Sequence, residues 1–297
     1  MSRYADVTLA LIALIWGTTF VIVKEAIREA PSAMFLALRF TLAAGALGLL
    51  LAGQMGRIRR AAGGSWRWGT VAGIFLGAGY LLQTWGLETT TASRSAFLTS
   101  LYIVLVPFAG AIVYRNVPRW REVSGALVAT GGMALMSWQG ETLSLNRGDW
   151  LTVGCAVVFA GHILAVGKAA GFGDTALVSL LQIAVSAVLF WGLLGWTGLE
   201  PAWAATRWTG GLARAVVLTG LGATALTFVL QTWAQQYTTP SRASLMFALE
   251  PVFGALTAWW WAGETLGIAA FGGAAMILLG ILIVEMKPET SSGHPSS

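Results

Sequence analysis

The sequence predicts an all-α polytopic membrane protein, with ten transmembrane helices arranged as two five-helix units of inverted topology. Three observations predict it. Of the 297 residues, 56% are hydrophobic and 10% charged, whereas ordinary soluble domains carry about 25% charged residues. So few charges do not cover a water-exposed surface of this size. The apolar residues fall in ten blocks of bilayer length, and a 13-residue stretch of the first half recurs in the second.

The ten blocks run approximately over residues 5–24, 32–52, 69–87, 93–114, 120–138, 149–168, 175–197, 213–235, 241–262 and 266–285. About 20 apolar residues cross the hydrocarbon core as a helix. The blocks are too long, and too rich in Gly, Ala and Leu, for barrel strands that alternate over about 10 residues. Backbone groups in lipid must bond within their own segment, so each block reads as a helix. Block 1 follows Arg3 as a signal peptide would, but Lys24 and Glu25 close it without a small-residue cleavage site, so it reads as span 1. The polar stretch 287–297 reads as a disordered cytoplasmic tail.

Loop charge sets the orientation. Arg57, Arg59, Arg60 and Arg67 follow span 2, and Arg115, Arg119 and Arg121 follow span 4; with Arg3, Lys168 and Lys287 they fall on one face. The other face holds Arg28, Arg147, Arg207 and Arg214. The positive-inside rule then puts both termini in the cytoplasm. Trp66, Trp68, Trp120, Trp138, Trp150, Trp196, Trp203 and Trp208 lie near span ends, as an aromatic belt requires.

The duplication carries the functional reading. Leu82-Gln83-Thr84-Trp85 recurs as Leu230-Gln231-Thr232-Trp233 at an offset of 148, and Thr90, Thr91, Ser93 and Arg94 match Thr238, Thr239, Ser241 and Arg242. Gly125 and Gly132 match Gly273 and Gly280 at the same offset, and Gly17 and Lys24 match Gly161 and Lys168 at an offset of 144. The chain thus divides into a first repeat, residues 1–140, and a second, residues 141–286. Five spans per copy is odd, so the second copy enters the bilayer from the opposite side. Inverted repeats of this kind exchange an inward-open for an outward-open state around a site near the midplane. A carrier that moves a small molecule by alternating access is the function this implies.

Leu14-Ile15-Trp16-Gly17, Leu38-Arg39-Phe40, Ser93-Arg94, Ala248-Leu249-Glu250-Pro251-Val252, Gly263-Glu264-Thr265-Leu266 and the Gly-rich last span together resemble the EamA-type drug/metabolite transporters, over about residues 5 to 285. The resemblance implies a bacterial inner-membrane carrier, often an exporter, for amino acids or related zwitterionic or aromatic metabolites. It also implies a central cavity lined by spans 1, 3, 4, 6, 8 and 9.

Polar groups within spans are costly, about 2.5–3.5 kcal/mol for a charge at the helix centre, and each needs a reason. Glu250 stands near mid-depth in span 9, where it can exchange a proton, attract a substrate amine, or bond a neighbouring helix beside Pro251. Arg39, deep in span 2, reads as a structural charge needing a carboxylate or backbone carbonyls, or as a receptor for a substrate carboxylate; its counterpart is Gln182. His162 in span 6 can relay protons, bind a ligand or hold a neighbouring helix. Lys24 reads as a structural charge that snorkels to the outer surface, or as a cavity residue. Tyr80, Gln83 and Thr84 in span 3, Phe228 and Gln231 in span 8, Trp16 in span 1 and Tyr102 in span 4 complete the candidate substrate contacts. Gly69, Gly73 and Gly77 share a helical face with Tyr80 and Thr84, a ladder of small residues suited to packing or to cavity lining. Trp85 and Trp233 also lie within spans and can stack on a substrate or face lipid.

Arg94 and Arg242 open spans 4 and 9, where an arginine opposes the helix dipole and calls for another contact. They are expected to be gating residues at the outer and inner face, or to meet lipid phosphate.

Other classes fit less well. The chain has neither HExxH nor a phosphate-binding loop, and Cys155 is its one cysteine. Asp6, Asp149 and Asp174 sit at span boundaries, which leaves no mid-depth aspartyl pair for a membrane enzyme. No ring of like charges marks a channel. The net charge of +5 is dispersed between apolar blocks, unlike a nucleic-acid stripe. No cofactor or metal is expected. Transport then draws on a gradient, with a proton or counter-substrate as coupling partner, in a monomer or homodimer.

Overall fold

The computed structural model describes residues 2–58, 60, 63–115, 117–137, 145–262 and 267–285. The tail, Arg59, Trp138 and the Gly263-Glu264-Thr265-Leu266 motif lie outside the described residues.

The described residues are helical almost throughout. In chain order the long helices are α1 (Ser2–Ala26), α2 (Ser32–Leu50), α3 (Gly63–Thr89), α4 (Ala92–Ser100, then Tyr102–Tyr114) and α5 (Trp120–Ser137). The second half repeats the series with α6 (Arg147–Ala170), α7 (Thr175–Thr197), α8 (Gly210–Val217, Leu218–Leu226 and Thr227–Ala234), α9 (Pro240–Met246, Phe247–Leu249 and Glu250–Ala262) and α10 (Ile268–Glu285). Among the described residues seven helices are long and apolar enough to cross a membrane: α1 to α4 and α6 to α8. The sequence led us to expect ten. The three left out are α5, α9, which is interrupted by the turn at Phe247–Leu249, and α10, whose apolar stretch is the shorter Ile268–Val284.

Burial is inverted relative to a soluble protein. Leu11, Leu50, Ile112 and Leu282 are exposed on the outside, while Arg39, Gln182 and Asp149 are buried. That is the distribution a surrounding hydrocarbon solvent selects.

Local sequence explains where helices start and break. The Thr91 hydroxyl accepts the Arg94 N–H at the start of α4, and the Thr239 hydroxyl accepts the Arg242 N–H at the start of α9, with Pro240 in the first turn. Both of these helices break in the same register. In α9 the missing N–H of Pro251 leaves the Phe247 carbonyl without its i+4 donor. In α4 the Ser100 hydroxyl donates to the Ala96 carbonyl at 2.8 Å, a back-bond that bends helices. Tyr102 and Glu250, equivalent at an offset of 148, each begin the segment after the break.

Two apolar cores form. One joins the later part of α1 (Phe20, Val23 and Ala26) with α2, α3, α7 and α8; the other joins the earlier part of α1 with α4, α5, α6, α9 and α10. Each draws helices from both halves of the chain, and Trp16 and Phe159 border both. α5 and α10 run antiparallel at closest range: a Cβ on Gly132 would lie 2.5 Å from the Gly273 carbonyl oxygen, and one on Gly125 would lie 2.6 Å from that of Gly280. Only glycine permits that approach.

Candidate functional site

Between the two cores lies a narrow cavity of about 50 Å³, smaller than a small-molecule site, so it widens before it admits a solute. Span 3 contributes Tyr80, Gln83 and Leu87, spaced to share one helical face. Trp16 and Thr19 of α1, Tyr102 and Thr99 of α4, His162 and Phe159 of α6, Phe228 and Gln231 of α8, and Glu250 and Phe247 of α9 close the wall, with Arg39 of α2. The six elements implied by the resemblance are all present, and α2 is an addition.

Arg39 is fully buried and held from two sides. Its Nε donates to the Thr224 hydroxyl at 2.8 Å, and its Nη2 to the Tyr80 hydroxyl and the Ala223 carbonyl, both at 3.3 Å. The guanidinium lies 4.6 Å from the Tyr80 ring centre, a cation–π contact. No carboxylate pairs with it among the described residues. The Ala223 carbonyl also accepts the Trp16 Nε1 at 3.1 Å. Ala223 and Thr224 fall in the π-helical segment Leu218–Leu226 of α8. A widened turn of this kind shifts the backbone hydrogen-bond register, and such turns are frequent at functional sites. The Thr224 hydroxyl donates to the Thr219 carbonyl at 2.8 Å and so joins that turn to Arg39.

His162 sits on the opposite half. Its Nε2 meets the Gln182 Oε1 at 2.8 Å, and the Gln182 amide donates to the Thr232 hydroxyl at 3.0 Å. This orientation assigns the proton to Nε2 and leaves Nδ1 as an acceptor. Phe228 stands edge-on to the His162 ring with centroids 5.7 Å apart. Glu250 is buried and lines the cavity, with no hydrogen bond or ion pair to its carboxyl group among the described residues.

Eight of the nine expected substrate contacts therefore surround one cavity: Trp16, Tyr80, Gln83, Tyr102, His162, Phe228, Gln231 and Glu250. Thr84 is the exception. It is buried but lies off the cavity wall, because the cavity takes the face of α3 through positions 80, 83 and 87. The small-residue face behind it packs on α7, where Gly73 meets Val185 and Gln182. Trp85 and Trp233 are likewise off the wall.

Lys24 does not line the cavity: its Nζ donates to the carbonyls of Leu87 and Thr90. These lie at the C-terminal end of α3, where helix carbonyls lack intrahelical donors and a cation is favoured.

Two ion pairs bracket the cavity. Arg94 donates to the Asp149 carboxylate at 2.7 Å, and Arg242 to that of Asp6 at 2.9 Å. Each joins the fourth helix of one half to the first helix of the other. The Thr90 hydroxyl donates to Asp149 at 2.6 Å while its carbonyl holds Lys24. The ends of α1 thus lie at the two pairs, with Asp6 at one and Lys24 at the other. At 1.5 Å per residue the intervening helix is about 27 Å long, close to the thickness of a bilayer core.

The sequence profile of the EamA-like transporter family matches residues 3–138 and, separately, residues 146–286. The chain belongs to the EamA-like transporter family.

It is accordingly a multi-pass membrane transporter. An uncharacterized transporter of Archaeoglobus fulgidus is 31% identical over 284 residues, covering 96% of this chain and 86% of that protein. The uncharacterized transporter YoaV of Bacillus subtilis is 23% identical over 282 residues, covering 92% and 93% respectively. A crystal structure with 18% sequence identity superposes with a TM-score of 0.75 over 95% of this chain and 97% of that one, which shows a shared fold.

In this EamA-like transporter the sequence reading missed the polar Thr19 and Thr99 and the apolar Phe20, Val23, Leu87, Phe159, Ile163 and Phe247 on the cavity wall, and Asp6 and Asp149 as partners of the two arginines. The aspartates had a usable signal. Each stands at the start of the first helix of its half, as each arginine stands at the start of the fourth.

Proposed function

We propose that this protein is a secondary carrier that moves a small zwitterionic or aromatic metabolite, such as an amino acid, across the bacterial inner membrane by alternating access, in the direction of export. Ten spans form two five-helix units of inverted topology, residues 1–140 and 141–286, with both termini cytoplasmic. Several contacts support that arrangement. The family profile matches the chain twice. The glycine crossings of α5 and α10 are reciprocal: Gly125 meets Gly280 and Gly132 meets Gly273, where 273 and 280 are the equivalents of 125 and 132. A twofold axis produces such self-complementary pairing.

The observation that carries the reading is a cavity walled by both halves and bracketed by equivalent Arg–Asp pairs. Arg94–Asp149 closes the outer end and Arg242–Asp6 the inner. Release of one pair at a time opens the cavity to one face. In the cavity Glu250 receives the substrate amine or a coupling proton, the aromatic rings hold the apolar body, and Gln83, Gln231 and His162 supply hydrogen bonds.

Flux in proteoliposomes tests this. Saturable uptake accelerated by substrate on the opposite side, and lost in Glu250→Gln, is expected. An unsaturable ion current, or chemical conversion of the solute, would overturn the carrier reading.

A further inference from the structure

Arg39 has five N–H donors, of which Nε and Nη2 are engaged with Thr224, Tyr80 and Ala223. Its Nη1 donates to none of the described residues, yet it is not among the sealed, unpartnered atoms of the interior. The residue is 1% exposed and lines the cavity, so what little of it is open faces that space. A guanidinium keeps its charge, and a buried charge without a counter-ion is costly. The three ion pairs among the described residues leave Arg39 out. Its neutral partners fix the plane of the group and hold it by one edge, leaving the Nη1 edge to the cavity.

We infer that the transported solute bears a carboxylate and that Arg39 receives it through Nη1. The inference rests on the carrier reading and narrows its substrate class. A carboxylate arriving at Nη1 supplies the missing counter-ion, and the charge-assisted bond forms where water is largely excluded. The Thr224 and Ala223 contacts position the group for that role, and through Ala223 the same π-turn also holds Trp16.

The test is a ligand-binding titration on the full-length purified protein, followed by thermal stabilisation, with L-amino acids each paired with its carboxamide. On the wild type, acids are expected to bind at least about tenfold more tightly than their amides, the effect of one charge-assisted hydrogen bond. Arg39→Gln should abolish that difference, bringing acid and amide affinities together. Arg39→Lys should retain part of it. Because Arg39 also ties α2 to α8, Arg39→Gln can fail to fold; the acid–amide comparison on the wild type does not depend on it. Thr224→Val removes the Nε contact together with the bond to the Thr219 carbonyl, leaves Nη1 untouched, and should preserve a preference for acids. Equal binding of acid and amide by the wild type, or binding confined to compounds lacking a carboxylate, or no stabilisation by any carboxylate, overturns the inference. Saturable flux of a carboxylate-free solute would do so while leaving the carrier reading intact.

Discussion

The ends of the molecule and its middle follow different rules. At the ends the two halves repeat each other: Thr91 and Thr239 cap equivalent helices, and Arg94 and Arg242 reach equivalent aspartates in the opposite half. In the middle they diverge. Arg39 stands against Gln182, Tyr80 against Phe228 and Tyr102 against Glu250. The continuous helix α3 stands against α8 with its π-helical segment. Symmetric ends allow two states of similar energy, each the counterpart of the other. An asymmetric middle allows one solute to be held in one orientation. A strictly symmetric cavity would offer two copies of each polar group to a molecule that has one.

Substitutions can break or sharpen this contrast. The largest stability effect is expected at Asp149, which is fully buried and takes bonds from Arg94, Thr90 and the Asn146 backbone. Asp149→Ala should cost about 3 kcal/mol, the scale for breaking a buried pair, whereas Asp6→Ala, at a partly exposed pair, should cost about 1 kcal/mol. Unfolding of the detergent-solubilised protein measures both. Equal losses would show that the ends are more alike than their hydrogen bonds indicate.

Next in size are the glycine crossings. Gly125→Leu and Gly132→Leu should each cost about 1–3 kcal/mol through forced overpacking, and by near-equal amounts, since the two contacts are reciprocal. A several-fold difference in destabilisation would count against a twofold relation between α5 and α10. The smallest effects belong to the caps: Thr91→Ala and Thr239→Ala should each cost about 1 kcal/mol, again equally, read as matched falls in melting temperature.

How much was legible in the sequence follows the same division. The helical blocks and the duplicated Gln83/Gln231 and Arg94/Arg242 depend on composition and repetition, which a single sequence displays. Polar and aromatic residues at mid-span identified about half of the cavity wall, because a polar group in lipid needs a reason to be there. Phe159 and Phe247 carried no such mark; an aromatic residue in a span is equally at home in lipid, in a core or in a cavity. The π-helical segment of α8 was invisible because Leu218–Leu226 matches the helical pattern of its counterpart in span 3 well enough. The partners of that turn, Trp16 and Arg39, come from distant parts of the chain. The acceptors of Lys24, the carbonyls of Leu87 and Thr90, lie 63 and 66 residues away in the chain and carry no mark in the sequence. Thr84 was misjudged by one position around α3, where the packing face and the cavity face adjoin.

The central claim is that the two Arg–Asp pairs close opposite ends of one cavity. Labelling of a single cysteine at Gln83, in a Cys155→Ser background, by a membrane-impermeant maleimide applied separately to each face of sealed vesicles tests it most directly. The account predicts that Asp149→Asn raises labelling from the outer face, and that Asp6→Asn raises it from the cytoplasmic face and lowers it from the outer. Increased labelling from the same face in both variants, or no change in either, would contradict it.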